Sequence, residues 1–553
     1  MPAEDRTDRR DFIGRGLKGA AGLAAAGVVG GGLLEACATS STSSTTSTAA
    51  HPSSPYGGTV TMGTWSEVNS LSPPVARWDA TGYLYANAIY DSLVQIGADG
   101  KAYPYLAKSV TPNGDFTAFT ITLRPGIMFH DGEKCDAKAV AGSLNAVASG
   151  YITHQSLQPI KTITATGPLT VVVKMDQPWP VFPAYLAGQL GYIASPKMLA
   201  RKDQGTVNPV GTGPFIFQGW SIGQNLKVTR NPHYWQKGLP YLDAMTFLPL
   251  EDNQGREDAL RSGTVNLIHS QYPGTIKHFT GDPNFKLIET KIPPNGESAI
   301  DFIMLNVTKP PLNDPNVRRA LALGLNAAEL RRVNGFGLVE PATSIFLPGS
   351  PYYTPTSYPQ FDPAAARKLV NAYKQRHGSA PTVELSTING ASYQLTVELI
   401  QQQWTAVGIN CSVAHVDFTA FLTNVVLGNY EAATFEQFGV SDPDQNYVWW
   451  SSTTVGGPGQ VSLNIARNSD SRIEQQLLIG RHSTVHGERL AAYQKVSQYL
   501  ADDLPFLYLY KTLWAAISKP NVAGITHQTL PGGQQSVGFF EGGLLVHQLR
   551  LNG

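Results

Sequence analysis

The chain is 553 residues long and carries 41 Lys plus Arg against 41 Asp plus Glu, a formal net charge of zero at neutral pH. That balance leaves no summed positive field to hold nucleic acid or an anionic lipid surface. With 42% hydrophobic residues, the length suffices for two or three domains with cores of their own.

Arg9 and Arg10, then Asp11, Phe12 and Ile13, precede a weakly apolar stretch of mostly Gly and Ala from Gly19 to Leu34. A permanent membrane span takes about 20 strongly apolar residues, which this stretch lacks. Paired arginines ahead of a short apolar core form the twin-arginine export pattern, here with Asp8 where Ser or Thr is usual. Leu34-Glu35-Ala36-Cys37 then resembles a bacterial lipobox in which Glu35 is the unusual member. Cleavage before Cys37 leaves a thiol to take lipid, and each buried CH₂ adds about 0.8 kcal/mol of membrane affinity. The unbroken Ser and Thr run from Thr39 to Thr48 suits a flexible tether and has no place inside a fold. The expected division is a leader over 1–36, a lipidation site at Cys37 and a tether over 37–53. An ordinary signal-peptidase site beside an incidental cysteine is the alternative.

Past the tether, "TVTMGT" reads as a first strand, with Trp65 at its end and Trp78 and Tyr83 soon after. "DFTAFTITLRPGIMF" alternates before a turn at His130-Asp131-Gly132, and "GPFIFQGWSIGQNLKVTRN" reads as two strands around a glycine-bearing turn. In "NDPNVRRALALGLNAAELRRV", Asp314 caps a helix with Pro315 at its first position. Val317, Ala320, Leu321, Gly324 and Leu325 then follow the spacing of one buried helical face. Asn326 and Glu329 read as a capping box, and Asp362 with Pro363 starts another helix. "YQLTVELIQQQWTAVGINCSVAHV" is a helix ended by Gly408 and followed by a strand. Such helix–Gly–strand units predict α/β lobes. Cys135 and Cys411 are expected as free, buried thiols.

Catalytic patterns are few. Gly219-Trp220-Ser221-Ile222-Gly223 is a formal G-x-S-x-G, but a nucleophilic serine there needs a helix directly after it. "QNLKVT" follows instead and looks like a returning strand, so Ser221 belongs to a hairpin turn. His482 and His486 have i, i+4 spacing without the H-E-x-x-H carboxylate, and read as a solvated helix end. No CxxC pair, GxGxxG turn or Walker loop is present. Aromatic residues at strand ends are more suggestive: Trp65, Tyr83, and Trp449 with Trp450 after "SDPDQNYV". In α/β folds, ligands sit outside the carboxyl ends of strands.

"LAKSVTPNGDFTAFTITLRPGIMFHDGEKCDAKAVAGSLNAV" (106–147), "GTGPFIFQGW", "RNPHYW" at Arg230 to Trp235 and "FIMLNVTKPPLNDPNVRRALALGL" follow one another along the chain, then "LPGSPYY" at Leu347 to Tyr353, "GVSDPD" at Gly439 to Asp444 and "DDLPFLYLY" at Asp502 to Tyr510. In that order these blocks resemble the family 5 extracellular solute-binding proteins, the oligopeptide-, dipeptide- and nickel-binding receptors of ABC importers. The resemblance implies a two-lobed, type II periplasmic-binding-protein-like α/β clamp with an extra β-rich subdomain. Lobe I would cover 54–298 with the insertion at about 98–208, lobe II 299–519, and a return to lobe I 520–553. It further implies a monomeric receptor, lipid-anchored on the outer face of the cytoplasmic membrane, passing a small solute to permease subunits without enzymatic chemistry, cofactor or metal. The expected ligand contacts are Trp65, Tyr83, Gln271, Asn306, Asp442, Trp449 and Trp450.

One departure bears on the ligand. Peptide receptors of the family often carry an Asp before the Asp-Pro of "GVSDPD" that pairs with the peptide ammonium; here that register falls on Gly439. Glu436 and Asp442 lie nearby without matching it, and a buried ammonium lacking a carboxylate is costly. Peptides held by another acid, blocked peptides, oligosaccharides and nickel chelates therefore stay open, with His269 as the histidine placed for a chelate. An exported hydrolase using Ser221, or a surface adhesin or signalling receptor without a permease, are the readings from other classes.

Overall fold

The structure, a computed structural model, describes residues 55–294 and 296–552. The twin arginines, Cys37 and the Ser/Thr run lie outside the described residues.

Strand Thr59–Thr64 buries Val60 and Met62 completely and forms the middle of a seven-stranded mixed sheet. Its parallel neighbours are Ala244–Pro249 and Leu267–Ser270. The antiparallel hairpin Phe215–Ser221 and Asn225–Arg230 extends one edge, while Ala515–Ser518 and Lys286–Glu289 complete the other. Helix Ala80–Ile89 starts where the Asp79 carboxylate accepts the Gly82 N–H at 3.0 Å. It packs Leu84, Tyr85 and Ile89 into the sheet's core, where each fully buried large apolar side chain is worth about 2 kcal/mol.

A four-stranded antiparallel sheet of Ala107–Pro112, Ala118–Leu123, Thr170–Met175 and Ile160–Gly167 carries a separate core with helix Ala137–Ala148. Strict alternation explains it: Val171, Val173 and Met175 point inward while Lys174 stays exposed. The "RNPHYW" block ties this insertion down. Buried Asp91 accepts from Tyr234 OH at 2.8 Å, Trp235 Nε1 at 2.9 Å and Thr212 Oγ1 at 3.0 Å. Burial still pushes its carboxyl up to about 7 against those three donors.

The second lobe is a five-stranded sheet in the order Asn410–Val416, Thr382–Ile388, Ala432–Gln437, Ile300–Leu305 and Phe506–Lys511. Helices Pro315–Leu323 and Pro363–His377 begin at Asp314 and Asp362 as their sequences predict. Helix Ala391–Ala406 buries Trp404 against the first of these and ends before Gly408, whose φ of 93° suits only glycine there. The expected capping box at Asn326 is half-formed. Asn326 accepts the Glu329 N–H, but Gln403 takes the reciprocal place, accepting the Asn326 N–H at 2.8 Å and donating to Glu329 at 3.0 Å.

Two segments cross between the large sheets, 290–299 and 512–514. They bond to each other: Thr290 N donates to Trp514 O and Thr512 N to Ala299 O, both at 2.9 Å. The chain thus re-enters the first sheet at Ala515, earlier than the boundary at 520 expected from sequence. Both cysteines are free thiols, Cys135 buried in the insertion; Cys411 is only partly buried, because it lies on an edge strand. Asp91→Asn would put an amide N–H against hydrogen-bond donors. It should lower the urea-unfolding free energy by about 2 kcal/mol, the usual cost of a buried polar group left unsatisfied.

Candidate functional site

The strand ends of both lobes meet along the crossings. His269, fully buried, organises the first-lobe side. Its Nε2 accepts the Trp65 backbone N–H at 3.1 Å and its Nδ1 donates to Gly542 O at 2.8 Å. Burial pushes the ring's pKa down to about 3, so it stays neutral with both nitrogens engaged. The expectation of a chelating His269 is therefore corrected: the residue is a strut joining the Trp65 turn to the C-terminal loop. Trp514 stands between them, 5.4 Å from the His269 ring and edge-on to Trp65 at 6.0 Å.

The candidate contacts divide by what their polar atoms already do. Trp65 Nε1 and Gln271 Oε1 are closed to solvent without a hydrogen-bond partner, each at the end of a first-lobe strand. Trp449 is partly buried and turns its ring toward Phe435 and Phe438, lining a small cavity with Phe302 and Gln437. Asn306, by contrast, donates to Gly428 O and Tyr430 O and accepts from Thr308 Oγ1. Trp450 is buried, with Nε1 on Gln437 Oε1 at 3.0 Å. Tyr83 packs among Trp78 and Tyr192 in the first core. Asp442 receives one Arg489 nitrogen at 2.8 and 2.9 Å and also accepts the Asp444 N–H. Asn306, Trp450 and Asp442 thus have their polar atoms engaged by the fold, while Tyr83 contributes its ring to the first core.

Sequence reading missed the residue that fills the space at Gly439. A Cβ placed on Gly439 would lie 2.4 Å from Glu541 Cδ, so a carboxylate from the C-terminal return occupies the room an acid at 439 would need. Glu541 has φ 48°, in the left-handed region, and its N–H donates to Thr290 Oγ1 on the first crossing. Neither of its carboxylate oxygens has a hydrogen-bond partner. Across the cleft Glu436 pairs in register with Asp301, which accepts from Thr512 Oγ1 at 2.9 Å. Burial, and then mutual repulsion for Glu436, holds these carboxyls above their ordinary range, Glu541 at about 8. No local pattern around "EGG" announces Glu541; only the three-dimensional return of the chain brings it here.

The "GVSDPD" segment also joins the second lobe to the inserted subdomain. Asp444, fully buried, accepts Trp179 Nε1 at 2.8 Å and Tyr185 OH at 3.0 Å from the subdomain. Arg481 lies 3.6 Å from Asp444, over the rings of Tyr447 and Trp179, and donates to Ser156 O. His482 donates to Pro178 O and ends helix Ser471–His482, whereas His486 opens helix His486–Asp503. The two histidines thus share no helical face, and no metal-holding group of three His, Cys, Asp or Glu occurs among the described residues. Ser221 is exposed at the hairpin turn, with strand Asn225–Arg230 rather than a helix after it. An open groove of about 540 Å³ lined by Glu133, Lys134 and Asp136 is built entirely from the subdomain and borders none of these strand ends.

Comparison with known proteins agrees with this architecture. The profile of "Bacterial extracellular solute-binding proteins, family 5 Middle" matches residues 101–458. The glutathione-binding protein GsiB of Salmonella paratyphi A is 27% identical over 487 residues, covering 84% of this chain and 91% of GsiB. The periplasmic binding protein DppA of Helicobacter pylori, solved with the peptide STSA, superposes with a TM-score of 0.78 at 21% identity, over 90% of this chain and 99% of DppA. AgaA of A. tumefaciens R10, solved with agropinic acid, gives 0.77 at 24% identity over 90% and 99%.

Two substitutions separate the spent groups from the open ones. Asp442→Asn leaves Arg489 buried without its carboxylate and should cost about 3 kcal/mol in urea unfolding. Trp65→Phe removes an N–H that has no partner and should change the unfolding free energy by less than about 1 kcal/mol.

Proposed function

We propose, from the premise that this chain belongs to the family 5 bacterial extracellular solute-binding proteins and is a solute receptor of an ABC importer rather than an enzyme, that its solute is a short peptide. The observation that carries the reading is the set of buried polar atoms left unpartnered at facing strand ends: a donor on Trp65, an acceptor on Gln271 and a donor on Gln437. An extended peptide offers main-chain donors and acceptors to such edges, while its side chains rest in aromatic-walled space. GsiB, bearing the name of a tripeptide's receptor, and DppA, solved with STSA, support the same class. Oligosaccharide is the second reading, favoured by the tryptophans at strand ends.

The mechanism is a shift of population. The lobes, 54–298 with the return from 515 on one side and 299–514 on the other, open and close about the two crossings. Ligand contacts made only in the closed form draw the equilibrium there. Micromolar capture corresponds to about −8 kcal/mol, within the means of an enclosed small solute. The permease then receives the closed complex. Twin-arginine export and a lipid on Cys37 hold the receptor at the outer face of the membrane, a reading supported by Arg9, Arg10 and the Leu34-Glu35-Ala36-Cys37 run.

Native mass spectrometry of the protein from Pro55 onward, before and after mild unfolding, is expected to release a ladder of short-peptide masses; a single sugar mass would overturn the peptide reading. Ser221→Ala should leave that ladder unchanged. In cells, Cys37→Ser should abolish incorporation of labelled palmitate and release the protein from the membrane fraction, and unaltered labelling would refute the anchor.

A further inference from the structure

Both carboxylate oxygens of Glu541 are shut off from solvent and unpartnered, on a side chain held in place by its own backbone bond to Thr290. Ionised carboxylates in such surroundings need a counter-charge. The protein supplies little. The Ala299 N–H lies near the Glu541 carboxylate without reaching hydrogen-bond geometry, and the Lys511 ammonium, which also favours its charge, is already paired with Glu340 at 3.1 Å. Arg256, a buried guanidinium, has given Nη1 to the Leu250 and Glu251 carbonyls and Nη2 to Asn253, leaving only Nε without a partner. Glu436, in register with Asp301 on the second-lobe sheet, is near enough to Glu541 for the two carboxyls to repel, and it also feels Asp301 and Asp79. Carboxylates thus outnumber available cations where the lobes meet, and the one with no partner stands in the space Gly439 leaves empty.

We propose that Glu541, with Glu436 opposite, receives a primary ammonium group of the ligand. This rests on the receptor reading above and narrows its solutes to those with a free amine. The acid comes from the first-lobe return and Glu436 from the second lobe, so one ammonium between them bridges the closed form.

The linkage has a definite sign. Burial keeps Glu541 protonated up to about pH 8 against the Ala299 N–H and Lys511, which favour its ionised form, while burial and then repulsion from Asp301, Glu541 and Asp79 hold Glu436 up as well. Binding an ammonium requires the ionised form, so a proton leaves as ligand enters. Affinity for amines should rise with pH, by up to about tenfold per unit below pH 8.

The test incubates the purified protein with a random tripeptide pool, untreated or N-acetylated, and reads retained peptides by native mass spectrometry at pH 6, 7 and 8. Wild-type protein should retain untreated tripeptides at least tenfold over acetylated ones, increasingly with pH. Glu541→Gln should lose both the preference and the pH slope without a lower melting temperature. The double variant G439D/E541G, which moves the acid to 439 and gives the left-handed position a glycine, should restore the preference. Equal retention of both pools by wild type, or an unchanged preference in Glu541→Gln, overturns the assignment. If wild type retains neither pool, the peptide reading fails; retention of cadaverine would then still uphold the ammonium site, and its absence would overturn that as well.

Discussion

Everything in the cleft depends on two crossing segments that hydrogen-bond to each other. Two backbone bonds, Thr290 to Trp514 and Thr512 to Ala299, tie the crossings side by side into one short ribbon between the sheets. A single crossing would leave the lobes free to swivel; two joined ones restrict them to bending about the ribbon. The C-terminal return docks on the same ribbon, through Lys291 N to Phe539 O and Glu541 N to Thr290 Oγ1. His269 then ties that return, at Gly542, to the turn bearing Trp65. Strand ends, aromatic walls and acids are all indexed to one piece of backbone.

Buried polar groups fall into two populations with different uses. Around Asp91 and Asp442 the carboxylates are met by donors, and such satisfied networks specify one arrangement of subdomain and lobes; at Asp444 one oxygen takes Trp179 and Tyr185 while the other faces Arg481 Nε at 3.6 Å as an ion pair without a hydrogen bond. At the strand ends the pairing is incomplete, on Trp65, Gln271, Gln437 and Glu541. An unsatisfied buried group costs about 1–3 kcal/mol, a cost that a bound solute removes. Satisfied and unsatisfied groups lie within a few residues of each other in "EQFGVSDPD", where Gln437 keeps a free donor while Asp442 and Asp444 are locked.

Much of the fold was legible in the sequence because its signals are local. Asp-Pro pairs start the helices at Asp314 and Asp362, Gly408 follows one, and alternating valines build the inserted sheet. The blocks from residue 106 to Tyr510 fall in family order because they hold long-range joints, as Tyr234 and Trp235 do on Asp91. The site was less legible. Asp442 and Asn306 have the residue types of ligand contacts, yet Arg489 and the 428–430 backbone claim them from far along the chain. Glu541 reaches the cleft from a loop 102 positions past Gly439, with no motif to mark it. The capping box at Asn326 failed for the same reason, since Gln403 arrives from another helix.

The order of the first sheet sets a timetable for the chain as it is made. Ala515–Ser518 inserts between Leu267–Ser270 and Lys286–Glu289, so a strand synthesised near the end completes a sheet begun at Thr59. The second lobe, whose strands run from Ile300 to Lys511, is finished sooner. On the ribosome, Leu267–Ser270 therefore waits with an unpaired edge while more than two hundred residues emerge, the kind of edge that recruits other chains.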